Sequence, residues 1–141
     1  MIKVMIVDDS ALVRQVLTEI LSMPSDIEVI ATASDPVFAE KKIQQQKPDV
    51  IVLDLEMPRM DGITFLKKLM QDNPIPVVIC ASLSVQATRR TMDALAAGAI
   101  AVVAKPAQEL KQALPGISQQ LVQAIRAAVK SNPRFMLSAP D

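Results

Sequence analysis

The chain has 141 residues, half of them hydrophobic, which is enough for one domain with a sizeable buried core. Its 15 basic residues balance 15 acidic ones, and a net charge of zero disfavours non-specific binding to nucleic acid or to a membrane surface. The single Cys excludes an internal disulfide and a Cys-rich metal site, and the absence of His excludes His-dependent catalytic triads and His-ligated metals within this chain.

Targeting signals are not evident in the sequence. A membrane-spanning helix needs about 20 apolar residues, and no stretch approaches that length. The N-terminus also lacks the charged and then apolar pattern of a secretory signal. We therefore expect a cytoplasmic protein with no membrane contact, whose chemistry depends on carboxylates, hydroxyls and lysine.

Short apolar runs alternate with longer amphipathic segments. Near-continuous runs of Val and Ile are typical of parallel strands that are covered on both faces. The predicted strands are 2–7, 27–33, 50–53, 77–81 and 100–104. The second of these is the weakest, which favours a place nearer the edge of a sheet.

Capping and helix-breaking residues mark the segments between the strands. Apolar pairs recur every four residues after Ser10 and predict the first helix. The other helices are predicted to begin at Asp35-Pro36, after Asp61-Gly62, near Val85 and at Pro115-Gly116. Gly98 is the expected C-terminal cap of the fourth helix.

Five strands that alternate with five helices predict an α/β fold. Right-handed crossovers then give a doubly wound parallel sheet, a flavodoxin-like (βα)₅ arrangement with strand order 2-1-3-4-5. We expect residues 1–130 to form this domain. Residues 131–141 contain two prolines and no periodicity, and they are predicted to be a linker stub.

Charged residues follow three of the predicted strands. Asp8 and Asp9 follow the first strand, Asp54 the third, and Lys105-Pro106 the fifth. In this strand order the first and third strands are neighbours, so the three carboxylates should converge at the edge where functional residues of such folds lie. Two like charges 4 Å apart repel by about 4 kcal/mol at an effective dielectric of 20. The cluster therefore needs a cation or protonation, and its oxygen ligands favour Mg²⁺.

A lysine beside an acidic metal site is suited to an incoming phosphoryl group, and Asp is a known covalent acceptor of phosphoryl. The pattern suggests acyl-phosphate formation on one Asp, with Lys105 holding a phosphoryl oxygen, but it does not say which Asp. Each group also has a plainer interpretation. Asp8-Asp9-Ser10 would serve as a helix cap, Asp54 as a loop acid and Lys105 as a surface lysine. Their coincidence at strand ends favours a site.

Three segments resemble the receiver domain of bacterial two-component response regulators. They are Val7-Asp8-Asp9-Ser10, Leu53-Asp54-Leu55-Glu56-Met57-Pro58-Arg59-Met60-Asp61-Gly62 and Lys105-Pro106. The segments 56–70 and 76–83 are similar, more narrowly, to the regulatory domain of the chemotaxis protein-glutamate methylesterases. In that family a methylesterase domain with a Ser-His-Asp arrangement follows, and a chain without His does not contain it.

The resemblance implies a role for each residue of the predicted site. Asp54 would be the phosphoacceptor. Asp8 and Asp9 would organise Mg²⁺ together with Asp54 and the backbone carbonyl of Glu56. Lys105 would contact the phosphoryl group.

The chain departs from the family's usual pattern at two positions. Ala81 stands where the family usually has Ser or Thr, with Ser82 following it, and Val102 stands at the position of an aromatic switch residue. Either Ser82 reaches the phosphoryl group through a local irregularity, or phosphoryl signalling is attenuated. The alternation of side chains along a strand favours attenuation. The resemblance alone predicts a cis bond between Lys105 and Pro106.

The resemblance implies a phosphoacceptor regulatory domain. It would take a phosphoryl group from a histidine kinase onto Asp54 with Mg²⁺, and control a downstream protein-glutamate methylesterase domain absent from this chain. The whole protein would then be a carboxylic ester hydrolase. Two alternatives stay open: a receiver with a DNA-binding or adaptor output, and a pseudo-receiver that acts through protein contacts only. No nucleic-acid binding by this domain is expected.

Two further features have simple structural explanations. Cys80 lies inside an apolar strand and is predicted to be a buried core residue. Arg89-Arg90 on the fourth helix would form either a solvated face or a docking surface for a partner protein.

Overall fold

A computed structural model describes residues 1–55, 62–72, 74–81, 85–104 and 110–130, with side chains for all of these except 85–88, 104 and 110–118. The strands are β1 (Ile2–Val7), β2 (Ile27–Ala33), β3 (Val50–Asp54), β4 (Val77–Ala81) and β5 (Ala101–Ala104). The helices are α1 (Ala11–Ser22), α2 (Pro36–Gln45), α3 (Gly62–Asp72), α4 (Val85–Ala96) and α5 (Leu110–Lys130). Within the described ranges, no helix has the length and apolar character needed to cross a bilayer.

The five strands form one sheet in which every pairing is parallel. Their order is β2-β1-β3-β4-β5. This confirms the predicted flavodoxin-like (βα)₅ fold with strand order 2-1-3-4-5. The second strand lies at an edge of the sheet, as its weaker apolar pattern indicated.

Alternate residues of the central strands face two separate cores. In β1, Met5 and Val7 pack with residues of α2 and α3, whereas Val4 and Ile6 pack with residues of α1 and α5. All four are fully buried. Helices cover both faces, so the strand needs apolar side chains at successive positions rather than at every second one. Cys80 is buried within β4, as predicted.

Two helices begin at the polar caps that the sequence indicated. The Ser10 hydroxyl accepts a hydrogen bond from the Val13 N–H at 3.3 Å, and the Asp35 carboxylate accepts one from the Phe38 N–H at 3.0 Å. Each such cap contributes about 1 kcal/mol to helix stability. The Ser10 cap starts α1 directly after the two acids that follow β1.

The last helix begins earlier than the sequence analysis predicted. α5 starts at Leu110, whereas Pro115-Gly116 was expected to open it. A proline removes one backbone hydrogen bond from a helix, but it does not determine where the helix begins. Residues 111–114 are good helix formers, and they extend the helix on the N-terminal side of the proline. The predicted linker, residues 131–141, lies outside the described residues.

A glycine terminates α4. Gly98 has a φ of +122°, and the Ala99 N–H donates to the Ala94 carbonyl at 3.0 Å, a hydrogen bond typical of the Schellman motif. A Cβ atom at this position would lie 2.9 Å from the Cγ of Met70 on α3. Gly98 is therefore the helix cap that the sequence predicted, and both its conformation and its surroundings require glycine.

The substitution Gly98→Ala should lower the free energy of unfolding by about 1–3 kcal/mol, because it adds backbone strain and a contact with Met70. Urea unfolding followed by far-UV circular dichroism measures this loss. The double variant with Met70→Ala should recover the steric part of the loss and retain the backbone part. A loss below about 0.5 kcal/mol in the single variant would contradict this account of the cap.

An ion pair connects the start of β2 to α5. Arg126 donates two hydrogen bonds to the Asp26 carboxylate, at 2.9 and 3.0 Å, across 100 residues of sequence. The side-chain hydrogen bond from Arg126 lowers the pKa of Asp26, and the same bond raises the pKa of Arg126. The pair thus holds the C-terminal part of α5 to the connection between α1 and β2.

This ion pair should make a pH-dependent contribution to stability. The folded-state pKa of Asp26 lies below its usual value of 3.8. The contribution is therefore full above that value and is lost as the pH falls through the folded-state pKa. Arg126→Gln should be less stable than the wild type near neutral pH. The difference in free energy of unfolding should shrink as the pH falls below 3.8, the usual pKa of an Asp side chain. Urea unfolding at several pH values measures this, with Arg89→Gln as the control. A difference that does not change with pH would contradict it.

Candidate functional site

The end of β1 provides two acids with different environments. Asp8 directly follows the strand and is buried, and its N–H donates to the Ala33 carbonyl at 3.1 Å, which extends the pairing of β1 with β2 by one residue. One carboxylate oxygen of Asp8 accepts from the Ser10 N–H at 2.9 Å. Asp9 is exposed. One acid is thus fixed in the sheet edge, and the next faces solvent beside it.

Asp54 joins these acids because of the register between β1 and β3. The two strands pair from Val4 with Val50 to Val7 with Leu53, so the next residues along them are Asp8 and Asp54. Asp54 is the last residue of β3 and is 1% exposed.

The three carboxylates form a compact group. One oxygen from each of Asp8, Asp9 and Asp54 lies within 4.8 Å of the other two. At such separations each pair of negative charges repels by about 3–4 kcal/mol at an effective dielectric of 20. Hard oxygen donors at this spacing can share one divalent cation, which would cancel most of that repulsion. The predicted convergence of these three residues is confirmed, and the acidic group can hold a metal ion.

Arg14 is a positive group near the acids that the sequence analysis missed. Its guanidinium donates to the backbone carbonyl of Asp8 at 2.7 Å. The contact fixes the backbone at the end of β1 and brings a positive charge close to the acids. A signal was available in the sequence, because Arg14 lies one helical turn after Ser10 and so shares its side of α1.

Arg90 makes a second contact that the sequence did not reveal. Its guanidinium, on α4, donates to the backbone carbonyl of Leu55 at 3.2 Å. Leu55 is buried and directly follows Asp54. The side chains of Arg89 and Arg90 are both exposed, as a solvated face requires, but Arg90 also connects α4 to the end of β3.

The two departures from the family pattern lie where the sequence placed them. Ala81 is the last residue of β4 and is buried, so no hydroxyl group is present at this position. Val102 lies in β5, at the edge of the sheet, and is 37% exposed. Ala81, the last residue of β4, therefore offers the site no side chain that could form a hydrogen bond.

Several predicted site residues lie outside the described residues. They are Glu56, Ser82, Lys105 and Pro106. The carbonyl ligand, the two phosphoryl contacts and the cis bond therefore stay predictions.

Comparison with known proteins identifies the family to which this chain belongs. The sequence model of the response regulator receiver domain matches residues 4–115. A protein-glutamate methylesterase/protein-glutamine glutaminase of Hahella chejuensis is 56% identical over 138 residues, which are 98% of this chain and 38% of that protein. Another from Xanthomonas oryzae pv. oryzae is 60% identical over 126 residues, 89% of this chain and 36% of that protein. The chain thus spans less than two-fifths of the length of these relatives.

Solved structures of receiver domains are also similar to this chain. The response regulator domain of Thermotoga maritima CheB has a TM-score of 0.82 and 36% identity, over 94% of this chain and 98% of that one. A crystal structure of the P1 domain of CheA3 in complex with CheY6 from R. sphaeroides matches with a TM-score of 0.75 and 30% identity, over 92% of this chain and 98% of that one. This chain belongs to the family of response regulator receiver domains and is a receiver of the CheB type.

Proposed function

We propose that this receiver accepts a phosphoryl group on Asp54 with the help of bound Mg²⁺, and that the phosphoryl group controls a downstream methylesterase domain. The observation that carries the proposal is the approach of Asp8, Asp9 and Asp54 to within 4.8 Å at the carboxyl end of the sheet. Similarity to receiver domains supports the assignment of Asp54, the last residue of β3, as the acceptor.

The proposed Mg²⁺ ligands are the carboxylates of Asp8, Asp9 and Asp54 and the backbone carbonyl of Glu56. Oxygen ligands and retained waters are what this ion prefers. Bound there, it would supply the positive charge that allows an anionic phosphoryl donor to approach three acids. Burial of Asp8 and Asp54 strengthens that requirement, since water screens their charges poorly.

The proposed transfer begins with a phosphohistidine of a histidine kinase. A carboxylate oxygen of Asp54 attacks the phosphorus, a P–O bond forms and the P–N bond breaks. The electron pair of the broken bond stays on the imidazole nitrogen, and the product is an acyl phosphate on Asp54. Lys105 would hold a phosphoryl oxygen. This chain contains no His, so the donor imidazole must come from outside it.

The proposed output follows from the relatives. They are named as methylesterases, and the chain matches only 36–38% of their length. We propose that residues 1–130 are the receiver, that residues 131–141 are a linker, and that a catalytic domain follows in the whole protein, which would act in the cytoplasm. A pseudo-receiver without phosphorylation is the second candidate, because Ala81 provides no hydroxyl group at the end of β4.

Labelling with radioactive acetyl phosphate tests the acceptor. The wild-type domain should incorporate label only when Mg²⁺ is present, and Asp54→Asn should lose it, because an amide oxygen does not replace the carboxylate nucleophile. Asp72→Asn, an exposed acid at the end of α3, is the matched control and should label normally. Absence of label from the wild type in Mg²⁺ would contradict the proposal and favour the pseudo-receiver.

A further inference from the structure

We propose that Arg90 transmits the phosphorylation state of Asp54 to α4, as a positioning residue that connects the helix to the acceptor strand. The inference rests on the proposed function, because it requires a phosphoryl group on Asp54. It goes beyond that function by naming the residue through which the added charge would move a surface helix.

Arg90 contacts the residue next to Asp54. The Arg90 guanidinium donates to the Leu55 carbonyl at 3.2 Å, and Leu55 is the residue after Asp54. The guanidinium of α4 is therefore bound to the residue that directly follows the proposed acceptor. Leu55 is 1% exposed, so this carbonyl belongs to a buried residue directly after β3.

The described side chains of α4 bury little apolar surface. Among its described side chains, residues 89–96, Ala94 is buried in the core, whereas Met92 and Leu95 are exposed. A helix with one small buried side chain over this length can shift at low free-energy cost. The bond from Arg90 joins this lightly buried part of α4 to the residue after β3.

Ala81 at the end of β4 and Val102 in β5 lack the groups that the family usually has at these positions. Ala81 provides no hydroxyl group to reach a phosphoryl oxygen, and Val102 provides no aromatic ring to change its orientation. The contact between Arg90 and Leu55 offers a different connection, from α4 directly to the end of β3.

The negative charge of a phosphoryl group on Asp54 determines the direction in which Arg90 would move. A backbone carbonyl carries only a partial negative charge, whereas a phosphoryl group carries about −1.5 to −2, which is more than the single charge of the Asp54 carboxylate that it replaces. The planar guanidinium can form two parallel hydrogen bonds with phosphoryl oxygens and attracts their full negative charge, whereas a carbonyl offers neither. A phosphoryl group on Asp54 would therefore compete with the Leu55 carbonyl for Arg90. Movement of the guanidinium would draw α4 with it.

Methyl NMR of the intact chain, with beryllofluoride as the phosphoryl mimic, tests the inference. The chain has no Trp or Tyr to serve as a fluorescent reporter, but Met92 lies two residues after Arg90 on α4 and is exposed. Saturating beryllofluoride with Mg²⁺ should shift the Met92 methyl signal of the wild type. In Arg90→Gln the shift should fall to about half or less, and Arg90→Lys, which keeps the charge, should recover part of it. Arg89→Gln is the matched control and should keep the full shift.

Fluorine NMR of bound beryllofluoride separates the two proposals. A bound signal in both wild type and Arg90→Gln, with a full Met92 response in both, would overturn the role of Arg90 and leave the proposed function intact. Loss of the bound signal from Arg90→Gln alone would also overturn it, since Arg90 would then act in binding and not in transmission. No bound signal from the wild type would overturn the proposed function, and this inference with it.

Discussion

Repulsion between carboxylates at the carboxyl end of the sheet is the constraint on which the rest of the site depends. The parallel register of β1 and β3 brings Asp8 and Asp54 side by side, and Asp9 completes the group. Each pair costs about 3–4 kcal/mol at an effective dielectric of 20. Burial of one large apolar side chain contributes about 1.5–3 kcal/mol, so the cores on the two faces of the sheet can hold the acids together without a metal, though at a cost in stability. Relief of this repulsion between carboxylates would contribute to the binding free energy of a cation.

Positive groups around the acids connect this constraint to the outer helices. Arg14 binds the carbonyl of Asp8 from α1, and Arg90 binds the carbonyl of Leu55 from α4. The N-terminus of α1 follows the acids directly, and its dipole favours negative charge there. A change of charge at Asp54 would therefore act on both α1 and α4. Of these two helices, α4 has fewer buried residues among its described side chains.

The sequence determined much of this arrangement because the relevant signals were local. Apolar runs predicted the strands, capping residues predicted the starts of α1 and α2, and the strand order then placed Asp8 and Asp54 together. The prediction that Pro115 opens the last helix is wrong, because the helix formers at 111–114 extend α5 on the N-terminal side of the proline. The contacts of Arg14 and Arg90 join side chains to backbone carbonyls of other elements. That of Arg90 crosses 35 residues, and no local pattern encodes it.

The dependence of stability on Mg²⁺ tests the central claim most directly. Urea unfolding should be measured for wild type and Asp9→Asn, in chelator and in about 10 mM Mg²⁺. The wild type should gain about 1–3 kcal/mol from Mg²⁺, whereas Asp9→Asn should gain less and should be at least as stable as the wild type in chelator. A wild type with the same free energy of unfolding in both conditions, or a variant less stable in chelator, would contradict the account.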